Sequence, residues 1–390
     1  MRRRRHHHRT RLAAFALAAA AALLTLAACS PSRVIESYRV LGDIAAGAGP
    51  SGLKERTPAP TRQAVRYQVE GRAYAADLYR PGEPAKAALV LVPGAAERGK
   101  DDPRLVAFAM TLARARFSVL VPDIESLRRL TVGPEDVTAI ADAVRHLAGR
   151  PGDPGQPSVG LVAISYAAGP AILAALEDKA RDKLRFILAI GGYYDIGAVV
   201  TFFTTGKYRD GPQAPWRYRT PNAYGKWVFV RANVPRIEDA RDRVLLASMA
   251  ERKLRDLGAE IGDLTAKLGP EGRPLHALLT NRDPEAVPGL IAKLPPKVRR
   301  DLAALDLKGR DLSGLRAELF LIHGRDDAII PYTESAALAA ALPEGQTTLR
   351  LVDNLSHVDL GPGGWLDGLR LWSLVYRLLE VRDAAPRPGA

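Results

Sequence analysis

Ser165 stands where an apolar strand meets a helix, in the run Gly160-Leu161-Val162-Ala163-Ile164-Ser165-Tyr166-Ala167-Ala168-Gly169. A serine on so tight a turn has its hydroxyl held out of the sheet, and the helix start beneath it offers backbone N–H groups to a developing negative charge. The chemistry this suits is nucleophilic catalysis. A serine hydroxyl is a weak nucleophile at neutral pH, so a neutral imidazole must take its proton, and a carboxylate must orient and stabilise that imidazole. Outside the first eleven residues the chain holds four histidines: His146, His276, His323 and His357. His146 falls inside a helical pattern and His276 in an insertion. His323 ends a strand, where a buried, internally satisfied ring is the expectation. His357 is left in a loop after the last strand and is the candidate base. Asp195, just after an apolar strand, and Asp327 are the competing acids.

The elements that must position these residues alternate. Ala64–Val69 and Ala73–Tyr79 have strand periodicity, and Ala87–Val92 is a continuous apolar strand ending at Pro93-Gly94. Then come a helix over Leu105–Arg114, a strand over Phe117–Val121, a helix over Pro134–Ala148, the strand Val159–Ile164, the helix Ala167–Leu176 and the strand Phe186–Ile190. Such alternation with apolar strands predicts an α/β fold, a mostly parallel sheet covered by helices on both faces. It stops after Asp195 and resumes at Glu318–Ile322, leaving an insertion of residues 196–312 after the sixth strand. Apolar residues from Ile237 to Leu268 recur every three or four positions, which predicts a long helix or helix pair in a largely helical cap. Leu349–Val352 and a final helix near Trp365–Leu379 close the chain.

From here the chain resembles the α/β-hydrolase superfamily, specifically its serine esterases and dienelactone-hydrolase-like members, over residues 64–195 and 315–380. The family's Gly-x-Ser-x-Gly elbow stands here as Ala163-Ile164-Ser165-Tyr166-Ala167, with alanine at both glycine positions. The family's chain order of nucleophile, acid and histidine is present. The segment Leu321-Ile322-His323-Gly324-Arg325-Asp326-Asp327-Ala328-Ile329-Ile330-Pro331 resembles its acid-bearing strand-loop, with the aspartate three residues after the glycine. The resemblance therefore implies Ser165 as nucleophile, Asp327 as acid ahead of Asp195, and His357 as general base. It also implies two oxyanion donors: the N–H of Tyr166, and that of Ala95 or Ala96 in Val92-Pro93-Gly94-Ala95-Ala96, which replaces the family's His-Gly. An insertion after the sixth strand is a cap over the site in this family. Ten of the 24 aromatic residues lie between Tyr193 and Phe229, so Phe202, Phe203, Trp216 and Trp227 are expected either to line an acyl or aryl pocket or to form the cap's own core.

The chain's beginning reads as an export signal: an arginine-rich start, an apolar run from Leu12 to Ala28 and then a single cysteine. Leu26-Ala27-Ala28-Cys29 resembles the bacterial lipobox, which implies that residues 1–28 are removed and that Cys29 is lipidated as the first mature residue. It is the one cysteine of the 390 residues, so no disulfide can involve another position of this chain. Ser30 after it points to the outer membrane in a Gram-negative cell and otherwise to the cell surface. Residues 29–62, rich in Pro, Gly, Ala and Ser, are expected to be a tether, with the hydrolase core in 63–195 and 313–390.

The formal charge of +13 includes six arginines before residue 12; without them it is +7, scattered among 43 acidic residues. No nucleic-acid partner is expected. Neither cofactor nor metal is called for, and His6, His7 and His8 lie in the removed segment. The expected activity is hydrolysis of carboxylic esters through an acyl-enzyme. A serine peptidase or acyltransferase on the same triad and a catalytically silent binding lipoprotein are the alternatives. A serine rather than an aspartate at the elbow disfavours dehalogenase and epoxide hydrolase chemistry.

Overall fold

A computed structural model describes residues 30–150, 159–353, 355–356, 359–360 and 364–384. Cys29 and the expected export signal lie outside the described residues. Eight strands form one sheet in the order β1-β2-β4-β3-β5-β6-β9-β10. The first two, β1 (Thr61–Val69) and β2 (Arg72–Arg80), are antiparallel and joined by the two-residue turn Glu70-Gly71. Both turn residues have positive φ, +50° and +82°, the backbone twist that matches a tight hairpin. After β2 pairs antiparallel with β4 (Phe117–Pro122), the remaining pairs are parallel: β4 with β3 (Ala87–Val92), then β5 (Val159–Ile164), β6 (Leu184–Ile190), β9 (Glu318–Gly324) and β10 (Thr347–Val352). Of these, β3, β4, β5 and β9 are buried and mainly apolar because helices cover both faces, whereas the edge strand β10 is only half-buried and carries Thr347, Thr348 and Arg350.

Helices Glu135–Ala148 and Ala168–Leu176 pack one face, where Ile140, Val144, Leu147, Ala171 and Ile172 meet Val90, Leu161 and Leu319. Helices Pro103–Arg114 and Trp365–Asp383 pack the other, with Leu105, Ala109, Leu374 and Leu378 against Leu91, Val162 and Phe320.

Three expectations are corrected. Residues 30–58 are no tether. Pro31–Ala46 is a helix that buries Val40, and Leu53 follows it into the same core. Buried polar residues hold it there: Asp43 accepts from Thr111 Oγ1 at 2.7 Å and Lys54 Nζ at 2.6 Å, and Glu36 pairs with the buried Arg382 at 2.9 Å. The segment's buried face includes Ser37 and Asp43, whose partners come from elsewhere in the chain, so an apolar period alone could not reveal it.

The Ile237–Leu268 stripe is not continuous either. The helix Ala240–Arg255 stops before Gly258, only a short turn, Gly262–Thr265, follows, and Val244 and Leu257 face solvent. Asp242 shapes what comes next, accepting the N–H groups of Gly269, Glu271 and Gly272 at 2.5, 3.0 and 2.8 Å.

The insertion after β6 is otherwise helical, with a minor two-stranded ribbon of β7 (Lys207–Tyr208) and β8 (Arg217–Tyr218). It holds its own apolar cluster around Phe203, Trp227, Leu246, Met249 and Leu275. Leu307 and Leu312, placed by sequence in the insertion, belong instead to the core beneath the sheet, so the chain rejoins that core near residue 307.

Candidate active site

Ser165 follows the last residue of β5 and opens a 3-10 turn, Ser165–Ala167, that runs into the helix Ala168–Leu176. Its φ is +57°, the left-handed region that a side chain adopts at a penalty of roughly 1–2 kcal/mol. Ala163 and Ala167 are fully buried beside it. Two glycines pack close on the corner: a Cβ on Gly94 would stand 3.2 Å from Ser165 Cβ, and one on Gly192 would stand 2.4 Å from Ala168 Cβ. These close approaches fall on Ser165 and Ala168, the residues of the corner itself, and not on the two alanines at the family's glycine positions.

Ser165 is 8% exposed and, with Ala95 and Tyr166, borders a cavity of about 170 Å³ under the insertion. Val200, Phe203, Val228, Phe229 and Leu302 wall it, and Ile329 and Ile330 of the acid loop border it too. At its polar end the buried Arg236 is tied into the protein: Nε donates to Asp301 at 2.7 Å, Nη1 to the carbonyls of Ala232 at 2.6 Å and Thr131 at 3.1 Å, and Nη2 to Glu135 at 3.4 Å. That side chain bridges the insertion to the loop before Glu135–Ala148. The Tyr166 side chain turns away from the nucleophile, its hydroxyl donating to the buried Asp136 at 3.1 Å; burial pushes both groups up from their ordinary pKa. The residue's backbone N–H lies in the first turn after Ser165.

Asp327 lies in the loop after β9, with its carboxylate fixed. Oδ1 accepts the N–H groups of Ile329 at 2.7 Å and Ile330 at 3.0 Å, and Oδ2 lies 3.3 Å from His323 Nε2. His323 is buried, as expected, with Nδ1 2.7 Å from Ser335 Oγ and Nε2 2.9 Å from the Ile330 carbonyl. Its contact with Asp327 went unread in the sequence, although the i, i+4 spacing of the two was the available signal.

His357 lies outside the described residues. Its flanks, β11 (Leu355–Ser356) and β12 (Asp359–Leu360), pair antiparallel. The approach to them runs against the start of the acid loop: Arg325 N–H donates to the Val352 carbonyl at 2.7 Å, and a Cβ on Gly324 would stand 1.8 Å from the Leu355 carbonyl oxygen. Ser165, Asp327 and the segment leading to His357 thus follow the carboxyl ends of the parallel strands β5, β9 and β10, the edge where open α/β sheets bind ligands.

The rival acid has other work. Asp195 caps the helix Ile196–Thr205, accepting from Ala198 N–H at 3.1 Å, and pairs with Lys308 Nζ at 2.7 Å. Of the four aromatics singled out by sequence, only Phe203 borders the cavity, where Tyr193, Tyr224 and Phe229 join it. Phe202 packs on Tyr208, Trp227 sits in the insertion's core, and Trp216 stacks under Arg209.

No family model matches the chain, and no curated protein does. Among solved structures it is similar to a single-site variant of the rice cell wall degrading esterase LipA from Xanthomonas oryzae, at 15% identity over 83% of this chain and 89% of that one, with a TM-score of 0.50. It is also similar to dienelactone hydrolase from Anabaena variabilis, at 14% identity over 83% of this chain and 97% of that one, with a TM-score of 0.42. Sheet order, the left-handed serine corner and the first of these likenesses give this chain the α/β-hydrolase fold.

Proposed function

We propose that this chain is a serine hydrolase of carboxylic esters, exported and held at a membrane through lipidated Cys29. Ser165 Oγ attacks the ester carbonyl while the His357 imidazole takes its proton. Asp327, oriented by the Ile329 and Ile330 N–H groups, holds the imidazole in the required tautomer. The N–H groups of Tyr166 and Ala95 receive the oxyanion; losing one such donor costs on the order of 3 kcal/mol in the transition state. The alkoxide leaves with the proton from His357, and water then releases the acid from Ser165. The observation that carries this reading is the serine at φ +57° bordering an apolar cavity at the carboxyl edge of the sheet.

The cavity also bears on the acyl group. An apolar space of about 150 Å³ holds benzene, so 170 Å³ suits an aryl group or a chain of about six to eight carbons better than a full lipid acyl chain. A p-nitrophenyl ester series from acetyl to palmitoyl tests this. The expected kcat/KM maximum lies at medium chains, is abolished by Ser165→Ala and moves to longer chains in Phe203→Ala, which empties one wall. If every ester falls by one common factor in Phe203→Ala, that ring is structural; if Ser165→Ala stays active, the catalytic assignment fails.

A further inference from the structure

The last helix, Trp365–Asp383, buries Leu374, Leu378 and Leu379 in the core but carries a second apolar line on its outer side. Trp365, Leu369, Trp372 and Tyr376 recur at spacings of four, three and four, which places them on one face over about 16 Å of helix. The outer end of that line is bare: Trp365 is 75% exposed and Leu369 52%, and Leu366 beside them is 50%. The inner end is where the described chain begins. Ser30 N–H donates to Tyr376 Oη at 3.2 Å, Trp372 packs on Tyr376 and reaches the Val34 carbonyl, and the Arg33 guanidinium lies over the Tyr376 ring.

We infer that this line is a lipid-docking surface, which lays the last helix along the membrane that anchors the chain. Position 29 is bonded directly to Ser30, so an acyl group on Cys29 starts within one residue of Tyr376. Ser30 and the exposed Trp365, Leu366 and Leu369 then lie along the same helix. Tryptophan and tyrosine suit the level of lipid headgroups, with an apolar ring on one side and a polar atom on the other. Among the described residues no helix is long and apolar enough to cross a membrane, and this one carries charges on its flanks, which fits a helix lying on the surface. A lipid anchor holds the chain at the membrane but leaves it free to swivel, so an apolar protein surface near the anchor fixes its orientation.

The inference rests on the lipoprotein part of the proposed function, and the test separates the two. The full chain is expressed in a bacterial host, purified from membranes, weighed intact for lipid on Cys29, and reconstituted into phosphatidylcholine–phosphatidylglycerol vesicles with brominated acyl chains. Brominated vesicles are expected to quench tryptophan fluorescence, and Trp365→Phe is expected to remove at least half of that quenching. Quenching that is absent, or unchanged in Trp365→Phe, overturns the docking surface even if Cys29 carries lipid. A dimer in detergent that Trp365→Ser with Leu369→Ser dissociates assigns the line to a second copy and overturns it too. Trp365-dependent quenching by a chain without lipid leaves the surface standing and removes the anchor. None of these readouts uses esterase activity, so failure of the catalytic reading is seen separately.

Discussion

At the scale of single residues, the strand-to-helix corner at Ser165 was legible because an apolar strand runs straight into a small-residue helix there, and the structure puts Ser165 at that corner with φ +57°. The facing glycines were not. Gly94 and Gly192 are distant in sequence from the residues they accommodate, and nothing local says what will pack on them. Gly94→Ala would press its Cβ to 3.2 Å from Ser165 Cβ and 3.3 Å from the Ile164 carbonyl oxygen. Since an error of about 1 Å at a reacting group can cost 10²-fold, a displacement of a few tenths of an ångström should lower kcat/KM by about 10-fold with the fold retained. Circular dichroism and ester kinetics check it, and full activity would mean the serine corner is not tightly set. The two acids differ more sharply. Asp327→Asn should lose on the order of 10⁴ in kcat through the wrong tautomer. Asp195→Asn keeps a capping oxygen and loses mainly a partly exposed ion pair, worth about 1 kcal/mol or less, so its turnover should be near normal. The reverse pattern would move the acid to the end of β6.

Elements were legible where burial is continuous, as in β3, β5 and β9, because a strand covered on both faces must be apolar throughout. They were hidden where polar groups do the packing. The helix Pro31–Ala46 is one case, and the corner after β6 is another. There Glu334, buried on the helix Thr333–Ala340, accepts the N–H groups of Tyr194 at 3.0 Å and Asp195 at 2.7 Å, where the insertion leaves the sheet. Burial pushes its carboxyl up to about 8 from 4.5. The folded state therefore keeps a proton that the unfolded state releases, and stability falls as pH rises from about 4.5 to about 8. Glu334→Gln keeps an accepting oxygen without the titration. Its Tm should gain on the parent progressively between pH 5 and pH 8, and a constant difference across that range would show that Glu334 ionises normally.

For the whole molecule, the sequence exposed the alternation, the insertion after the sixth strand and the order of the chemical residues, while the way the two parts meet needed coordinates. The insertion has its own core around Met249 and Leu275, yet Phe203 belongs both to that core and to the cavity wall, and Arg236, paired with Asp301 within the insertion, ties it to the Thr131 carbonyl and Glu135. The cavity is thus made between the sheet's carboxyl edge and the insertion, from residues more than a hundred positions apart. Its chemical meaning rests on whether Ser165 is an activated nucleophile. Fluorophosphonate labelling of the purified chain, followed by peptide mass mapping, measures that directly. One adduct is predicted, on Ser165, absent in Ser165→Ala and strongly slowed in His357→Ala; a folded chain that stays unlabelled, or labels at another residue, would contradict the account.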